Sequence, residues 1–516
     1  MTITSFWFLV FITVGMMLYY ILPKSWQWVE LLIMSLVFYC LAATPYTIIY
    51  LVISTLVAYL STNAMTWSEG RGEKSKRIVP AMIGIAIIVN IVIWFVFKGT
   101  DLWVSLSYRI GKLVFNKEIM TGVSPLVSAL GMGYYTLQVI GYILDCYWQT
   151  SKPQKNIFKL FLFVGFFPQL TTGPISRYNQ LEGLFQKHTF SYLNVTHGAQ
   201  RILWGFFKKL VIVDRVGVIV NGVWGGLATF SGPYIWFALL LFPIQMYADF
   251  SGCMDIVLGT AEVFGIILPE NFKNPFFART VQEFWQRWHI TLGTWAKDYV
   301  LYPLLKSKLM IKFGKLSKKK LGKRFGKFLP TMVGMFCLWM AMGIWHGGFK
   351  YVIGVSLWYF FILMLGEFFA PLFQDINKFL GINEESFSWH LFQSIRTYLI
   401  YAIGAVFFRA DGIGDAIVFI KKLIGTIKNP EMWVIFGGGI MDFGSSYTDI
   451  NVIIYSILLL IIVAILREKH GFARIWMDKQ ILAFRWIVWI GLFFVVLILG
   501  QYGPGYKAAE FIYQGF

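Results

Sequence analysis

Charge is scarce in this chain. Only 14% of its 516 residues are Asp, Glu, Lys or Arg, where a soluble chain of that length carries about 25% and divides into several domains. The scarcity is patterned: residues 1–23 carry no charge, and neither do 31–68, 78–97 and 216–248. A helix crosses the hydrocarbon layer with about 20 apolar residues, so these stretches read as membrane spans. Cysteine is also rare. Cys40, Cys146, Cys253 and Cys337 lie far apart in apolar surroundings, with no CxxC pair and no Cys/His cluster. That excludes a disulfide framework, indicates no metal, and leaves buried free thiols as the expected state. Walker, GxSxG and HExxH motifs are missing, which removes the commonest routes to phosphoryl transfer, serine hydrolysis and zinc proteolysis. No soluble domain, sustained repeat or low-complexity linker interrupts the chain.

What charge there is leans basic, with a net charge of +19. Ten basic residues fall between Lys306 and Lys327, a segment without an acid. The positive-inside rule accounts for most of this by holding the loop at the cytoplasmic side. Attraction of anionic lipid or of a polyanionic donor is compatible with it. Nucleic acid is not an expected partner. Ser5 to Leu22 lacks the basic start of a signal peptide and reads as a retained first helix. With an external N-terminus, Lys24 lies inside, the turn at Ala43–Pro45 outside, and the mixed loop from Glu69 to Arg77 inside. The span 78–97 leads out, and Leu126–Leu144 returns, leaving Lys152, Lys155 and Lys159 inside. Further hydrophobic runs cover 157–172, 199–223, 233–248, 254–268, 328–345, 349–371, 391–408, 450–466 and 484–501. Between them stand "QLTTGPIS", "GGLATFSGP" and "IILPENFKNPFF". Irregular backbone at membrane depth survives only beside protein or a watery cavity. The expected fold is therefore an all-α polytopic membrane protein of about eleven spans, with re-entrant or interfacial helices around a central cavity.

Candidate chemistry concentrates in two places. Residues 281–297 follow a helical pattern, with Trp285, Trp288, Leu292 and Trp295 on one face and Gln282, Gln286, His289 and Gly293 beside it. Glu283, Arg287, Thr294 and Lys297 form a third stripe, too charged for a simple span and suited to an interfacial or re-entrant helix. His289 then faces a polar crevice; a hydrogen-bonded structural histidine fits the pattern equally well. The second place is "LWMAMGIWHGGFKY", where His346 closes an uncharged run beginning at Phe328. An ionisable group at the end of a membrane helix is expensive and is a functional candidate by default. Gly343 and Gly347, four apart, allow another backbone to come close.

Other polar groups fit structural roles. Asp249 and Asp255 are six apart, on different helical faces, and are expected to cap broken helices or hold Arg and Tyr partners. Asp145 and the pair Arg409 and Asp411 invite the same reading. Thr171, Thr172 and Gly173 precede Pro174 in a turn whose amides could meet an acyl or phosphate oxygen.

In this order the stretches resemble the membrane-bound O-acyltransferase family, in its bacterial polysaccharide branch. The resemblance runs through "SLVFY", "ISTLVAYL", "GMGYYTLQVIGYILDCY", "FFPQLTTGPISRY", the block 245–304, "MGIWHGG", "FFRAD" and "EFIYQGF". It implies one integral-membrane domain over 1–516, with peripheral spans in 1–125, a catalytic core in 126–425 containing the basic loop 306–327, and closing spans in 426–516. It implies a spool of helices around a thin floor, with His346 as catalytic base and His289 as the second histidine. Trp285, Gln286, Trp288, Lys297, Thr172 and Gly173 are expected as tunnel or donor contacts. No bound cofactor is expected; acetyl-CoA is the expected donor substrate, and an extracytoplasmic acyltransferase, a polysaccharide acceptor and membrane lipids are the expected partners. The expected place is the cytoplasmic membrane of a bacterium. Gln514 and Gly515 depart from the branch, and so does the unusually basic loop. The chemistry is ordinary: a neutral imidazole, of unperturbed pKa about 6.5, can take a hydroxyl proton as the oxygen attacks a thioester. Burial disfavours imidazolium and so favours the basic form. Rival readings are D-alanyl transfer to an envelope polymer, a secondary transporter using Asp249 and Asp255, which inverted repeats would support, and a scaffold.

Overall fold

The computed structural model describes residues 1–68, 73–97, 129–230, 232–426, 438–443 and 445–503, with 104 and 107 singly. Residues 69–72 of the loop 69–77, the start of the Leu126 span and the stretch 510–516 with Gln514 and Gly515 lie outside them. Among the described residues the chain is helical, and strand-like pairing is confined to an isolated antiparallel bridge between Phe272 and Trp288. In chain order the main helices are α1 (Phe6–Ile21), α2 (Gln27–Ala42), α3 (Ile48–Ser68), α4 (Glu73–Phe97), α5 (Met132–Tyr147), α6 (Tyr192–Phe206), α7 (Asp214–Gly225) and α8 (Pro233–Val263). They are followed by α9 (Val281–Arg287), α10 (Ile290–Ala296), α11 (Lys308–Leu321), α12 (Lys323–Trp345), α13 (Trp358–Phe368), α14 (Phe387–Arg409), α15 (Ile413–Thr426), α16 (Tyr447–His470) and α17 (Leu482–Leu499). Eight described helices are long and apolar enough to cross a membrane, and the shorter α1 and α2 are apolar too. The protein is a multi-pass membrane protein.

Burial separates the outer spans from the core. Only 6% of the apolar window of α17 is buried and 17% of that of α16, against 78% for α8, so α8 is the central post and α16 and α17 face lipid. The thiols divide the same way: Cys146 and Cys253 are buried as expected, whereas Cys40 is exposed on its helix and Cys337 half-buried.

An expected break is absent. The runs 233–248 and 254–268 are one 31-residue helix, α8, despite Pro243 inside it. The Tyr398 hydroxyl donates to the Leu240 carbonyl in the turn before that proline, and membrane helices tolerate proline where neighbouring helices supply such partners. The carboxylates do not interrupt α8 either, because cations meet them. Lys209 Nζ lies 3.0 Å from Asp249, while Arg201 Nε (2.9 Å) and Lys208 hold Asp255. Partners were expected for both aspartates; lysines take the place of the expected tyrosines. Lys208 and Lys209 sit on a π-helical segment, Phe207–Val213, between α6 and α7.

Glycine lets α6 reach these acids. A Cβ on Gly205 would lie 2.6 Å from the Gly252 carbonyl, and one on Gly198 would lie 2.6 Å from that of Gly259. The two helices touch backbone to backbone at both points, the small-residue packing of membrane helices. Gly205→Leu is expected to cost about 2 kcal/mol through overpacking, read as a lower unfolding midpoint in detergent. Gly491→Leu, where a Cβ meets nothing within 4 Å, is expected to leave the midpoint in place.

Candidate functional site

The expected single helix over 281–297 is broken. α9 ends at Arg287, Trp288 is extended (φ −113°, ψ 128°), and His289 is left-handed at φ 46°, ψ 53° before α10 begins. Positive φ is uncommon for a residue with a side chain and costs of order 1–3 kcal/mol, persisting only where the surroundings over-determine it. Here they do. The carbonyl of Asn271 accepts from the Ile290 amide at 3.0 Å. Its side-chain Oδ1 accepts from the Thr291 amide at 3.0 Å and the Thr291 hydroxyl at 2.9 Å. Trp288, 1% exposed, pairs with Phe272. Periodicity alone asks for a helix; one asparagine on a facing extended segment captures the amides that would have continued it.

That segment is itself pinned. Arg201 makes a two-pronged contact with Glu270 at 2.6 and 2.8 Å, Arg467 donates to the Phe272 carbonyl at 2.9 Å, and Asn274 Nδ2 reaches the Ala464 carbonyl at 3.0 Å and Glu468 at 2.9 Å. The turn carrying His289 is thus tied through Asn271 to α6 and α16.

His289 is buried with its Nδ1 3.3 Å from Asn271 Oδ1. An Nδ1–H donated there makes Nε2 the basic nitrogen. The ring sits against Phe250 (4.9 Å between centroids), Tyr134 (6.4 Å) and Trp345 (6.1 Å). His346, the residue that ends α12, also lies against Trp345 at 4.9 Å, with Phe408 at 5.3 Å and Tyr351 at 5.5 Å. Trp345 thus touches both imidazoles, and its indole N–H is fixed by the Gly133 carbonyl at 3.0 Å. After His346 the chain turns back through Gly347 at φ +88° into a π-helical segment, Tyr351–Leu357. A Cβ on Gly343 would lie 2.0 Å from Ser356 Oγ, so the close approach expected at Gly343 is realised, while Gly347 serves the turn rather than the helix face.

A cavity of about 1230 Å³ opens beside both histidines. Its lining includes His289 and His346, and also Trp285, Gln286, Trp288 and Lys297. Thr172 and Gly173 are not among its walls. The Thr172 hydroxyl meets Cys253 Sγ at 2.6 Å, and a Cβ on Gly173 would lie 2.2 Å from Gln169 Cα. Those residues close a turn on itself instead of presenting amides to a guest. Asp249 and Asp255 are likewise absent from the lining and spend their charge on Lys209, Lys208 and Arg201. Asp145 accepts from the Thr150 hydroxyl at 3.2 Å, and Arg409 donates to Asn221 at 2.9 Å, the structural roles expected of them. The indole nitrogens of Trp285 and Trp339, on residues that line the cavity, are buried without a partner among the described residues. A buried donor of that kind asks for an explanation, and a guest acceptor supplies one.

Sequence reasoning missed Asn271, Trp345 and Trp339. Asn271 stood inside the quoted "PENFKNPFF", noted only as an interruption, although two prolines flanking an asparagine in an apolar chain already mark an extended segment with side-chain donors and acceptors to spend.

Residues 154–319 match the family model of the membrane-bound O-acyltransferase family. A probable alginate O-acetylase AlgI of Pseudomonas syringae is 28% identical over 406 residues, covering 78% of this chain and 71% of that protein. A peptidoglycan O-acetyltransferase of Helicobacter pylori is 26% identical, covering 82% and 79%, and a teichoic acid D-alanyltransferase of Bacillus subtilis is 28% identical, covering 47% and 60%. The matched region contains Asn271 and the cavity-lining His289, and the longer alignments run well beyond it. On these grounds the chain is similar to the membrane-bound O-acyltransferase family and is an O-acyltransferase.

Proposed function

We propose that this enzyme takes an acetyl group from acetyl-CoA at the cytoplasmic side of a bacterial inner membrane and delivers it to hydroxyls of a cell-surface polysaccharide, through a separate extracytoplasmic acyltransferase. The observation that carries the reading is one cavity bordered by both histidines in a chain related to O-acetyltransferases of envelope polymers. The acetyl relatives align with 78% and 82% of the chain, the D-alanyl relative with 47%, which favours acetyl over D-alanyl.

In the proposed reaction His346 is the base. Its imidazole takes the proton of the acceptor hydroxyl as that oxygen bonds to the thioester carbon. The tetrahedral intermediate then expels the thiolate, which leaves with the proton now on the imidazolium. Charge on the developing oxyanion is met by donors in the lining, of which the Gln286 side-chain amide is a candidate. The aromatic wall of Trp345, Tyr351 and Phe408 excludes water that would hydrolyse the thioester. Trp345, held by Gly133, packs against both rings, and positioning of this kind is a large part of the barrier reduction open to a two-substrate transfer. The basic segment 306–327, which folds as α11 and the start of α12 rather than as a loop, faces the cytosol in this orientation.

Labelled acetyl-CoA with the purified protein in lipid nanodiscs tests the assignment. His346→Ala is expected to lower kcat by roughly 10²–10⁴-fold; acetyl transfer at the parental rate by a folded variant sinks it. Asn271→Ala is expected to reduce kcat by on the order of 10²-fold, by releasing the His289 turn, with little change in KM. A rise in KM at constant kcat would assign Asn271 to donor binding instead. His289→Ala is expected to fall below the parent by a smaller factor than His346→Ala, and parental kinetics there demote His289 to packing.

A further inference from the structure

The chain that returns after His346 carries a charge at a place where the apolar wall is thin. α12 runs 23 residues from Lys323 to Trp345, a rise of about 34 Å at about 1.5 Å per residue, more than the hydrocarbon layer of about 30 Å. His346 therefore stands at the far end of a membrane-long helix, opposite the basic segment. The surface is close by: Ala410, which caps α14, is buried, and Asp411 next to it is exposed. Two rings cover the imidazole here. Phe408 meets it edge to face at 5.3 Å, Tyr351 lies at 5.5 Å, and the two rings are 5.2 Å from each other.

One side chain touches both covers. Lys350 Nζ donates to the Ala410 carbonyl at 2.5 Å and to the Phe408 carbonyl at 3.4 Å, and it lies 5.0 Å from the centroid of the Tyr351 ring. Carbonyls at the end of a helix lack intrahelical partners and carry the negative end of its dipole, so an ammonium suits them. Lys350 itself belongs to the turn that follows His346. It thus ties the turn that holds the base to the helix end that carries its cover. Farther along, neutral donors join the same two stretches of chain: Trp358 Nε1 to the Ile400 carbonyl at 3.2 Å, and the Tyr359 hydroxyl to the Tyr401 carbonyl at 3.1 Å. Those bonds lie about two turns or more before Phe408; the lysine supplies the tie at the level of the imidazole.

We propose that Lys350 is a positioning residue: by holding Phe408 and Tyr351 over His346, it closes the base to water from the extracytoplasmic side. The thioester then meets the acceptor hydroxyl rather than water. The assignment rests on the acetyl-CoA reading above. Where the cover loosens, water takes the acceptor's place. Its oxygen bonds to the acetyl carbon as His346 takes one proton, the carbon–sulfur bond breaks, and the imidazolium proton leaves with the thiolate, giving acetic acid and coenzyme A.

Two readouts on the full chain test this. The first is thiol release from acetyl-CoA in lipid nanodiscs with no acceptor present. The second is the rate at which a charged, membrane-impermeant methanethiosulfonate, added outside right-side-out vesicles, modifies position 346 in a His346→Cys background, read by peptide mass spectrometry. Lys350→Met is expected to raise both about tenfold through loss of water exclusion. Lys350→Arg, whose guanidinium still donates to carbonyls, is expected to hold both near the parent. Adding His346→Ala to Lys350→Met is expected to return thiol release to the parental level. Neither readout moving overturns the proposal, and so does faster thiol release with position 346 no more accessible. Faster modification without faster thiol release upholds the clamp and refutes the acetyl-CoA reading. If Lys350→Arg behaves as Lys350→Met, or the added thiol release survives the loss of His346, the proposal is overturned. Should Lys350→Met not fold, Lys350→Gln, one atom shorter than lysine, takes its place; failure of both to fold makes the lysine a folding residue and overturns the proposal.

Discussion

The left-handed turn at His289 is the constraint on which the site depends. A continuous helix over 281–297 would place Trp288 and His289 on neighbouring faces of one cylinder, with no reason for either to meet α5 or α8. The break sends Trp288 into the core against Phe272 and directs His289 toward Phe250, Tyr134 and Trp345. Its cost is met by hydrogen bonds from one asparagine, whose main-chain and side-chain oxygens together take the donors that the helix gives up. In an apolar solvent this is the condition under which irregular backbone survives at all.

The second support is a layer of ion pairs and glycines beneath the turn. Arg201 joins Asp255 on α8 to Glu270, the residue before Asn271. Backbone contact between α6 and α8 at Gly205 and Gly252 brings those charges within reach of one another. Buried ion pairs of this kind contribute little net stability against an apolar alternative. Their effect is register: a rotation or slide of α6 against α8 would strand several charges in hydrocarbon at once. The geometry at His289 thus inherits its precision from contacts made on the far side of the asparagine.

Much of this was legible in the residues. Long uncharged runs fixed the fold class, because hydrocarbon excludes unpaired charge. Two histidines in an apolar chain stood out for the same reason, and the structure brings both to one cavity together with Trp285, Gln286, Trp288 and Lys297. The breaks were less legible. Asp249 and Asp255 suggested an interrupted α8, yet the helix continues, since whether a charge ends a helix depends on partners supplied by other helices. Conversely, the amphipathic pattern of 281–297 hid a turn imposed from outside. Thr172 and Gly173 looked available because glycine before proline marks a turn, but a turn's amides can be consumed by the turn itself, as the bond from Gly173 to the Gln169 carbonyl shows.

The pairing of Lys208 and Lys209 with aspartates on α8 bears on how the protein is made. Each lysine alone at the middle of the bilayer costs about 2.5–3.5 kcal/mol for insertion, and their segment carries both in succession. The stretch from Tyr192 to Gly225 is therefore a poor candidate for entering the membrane one helix at a time. Its entry is best served by waiting beside the insertion machinery until α8 emerges, so that opposite charges are carried into the lipid as a neutral pair.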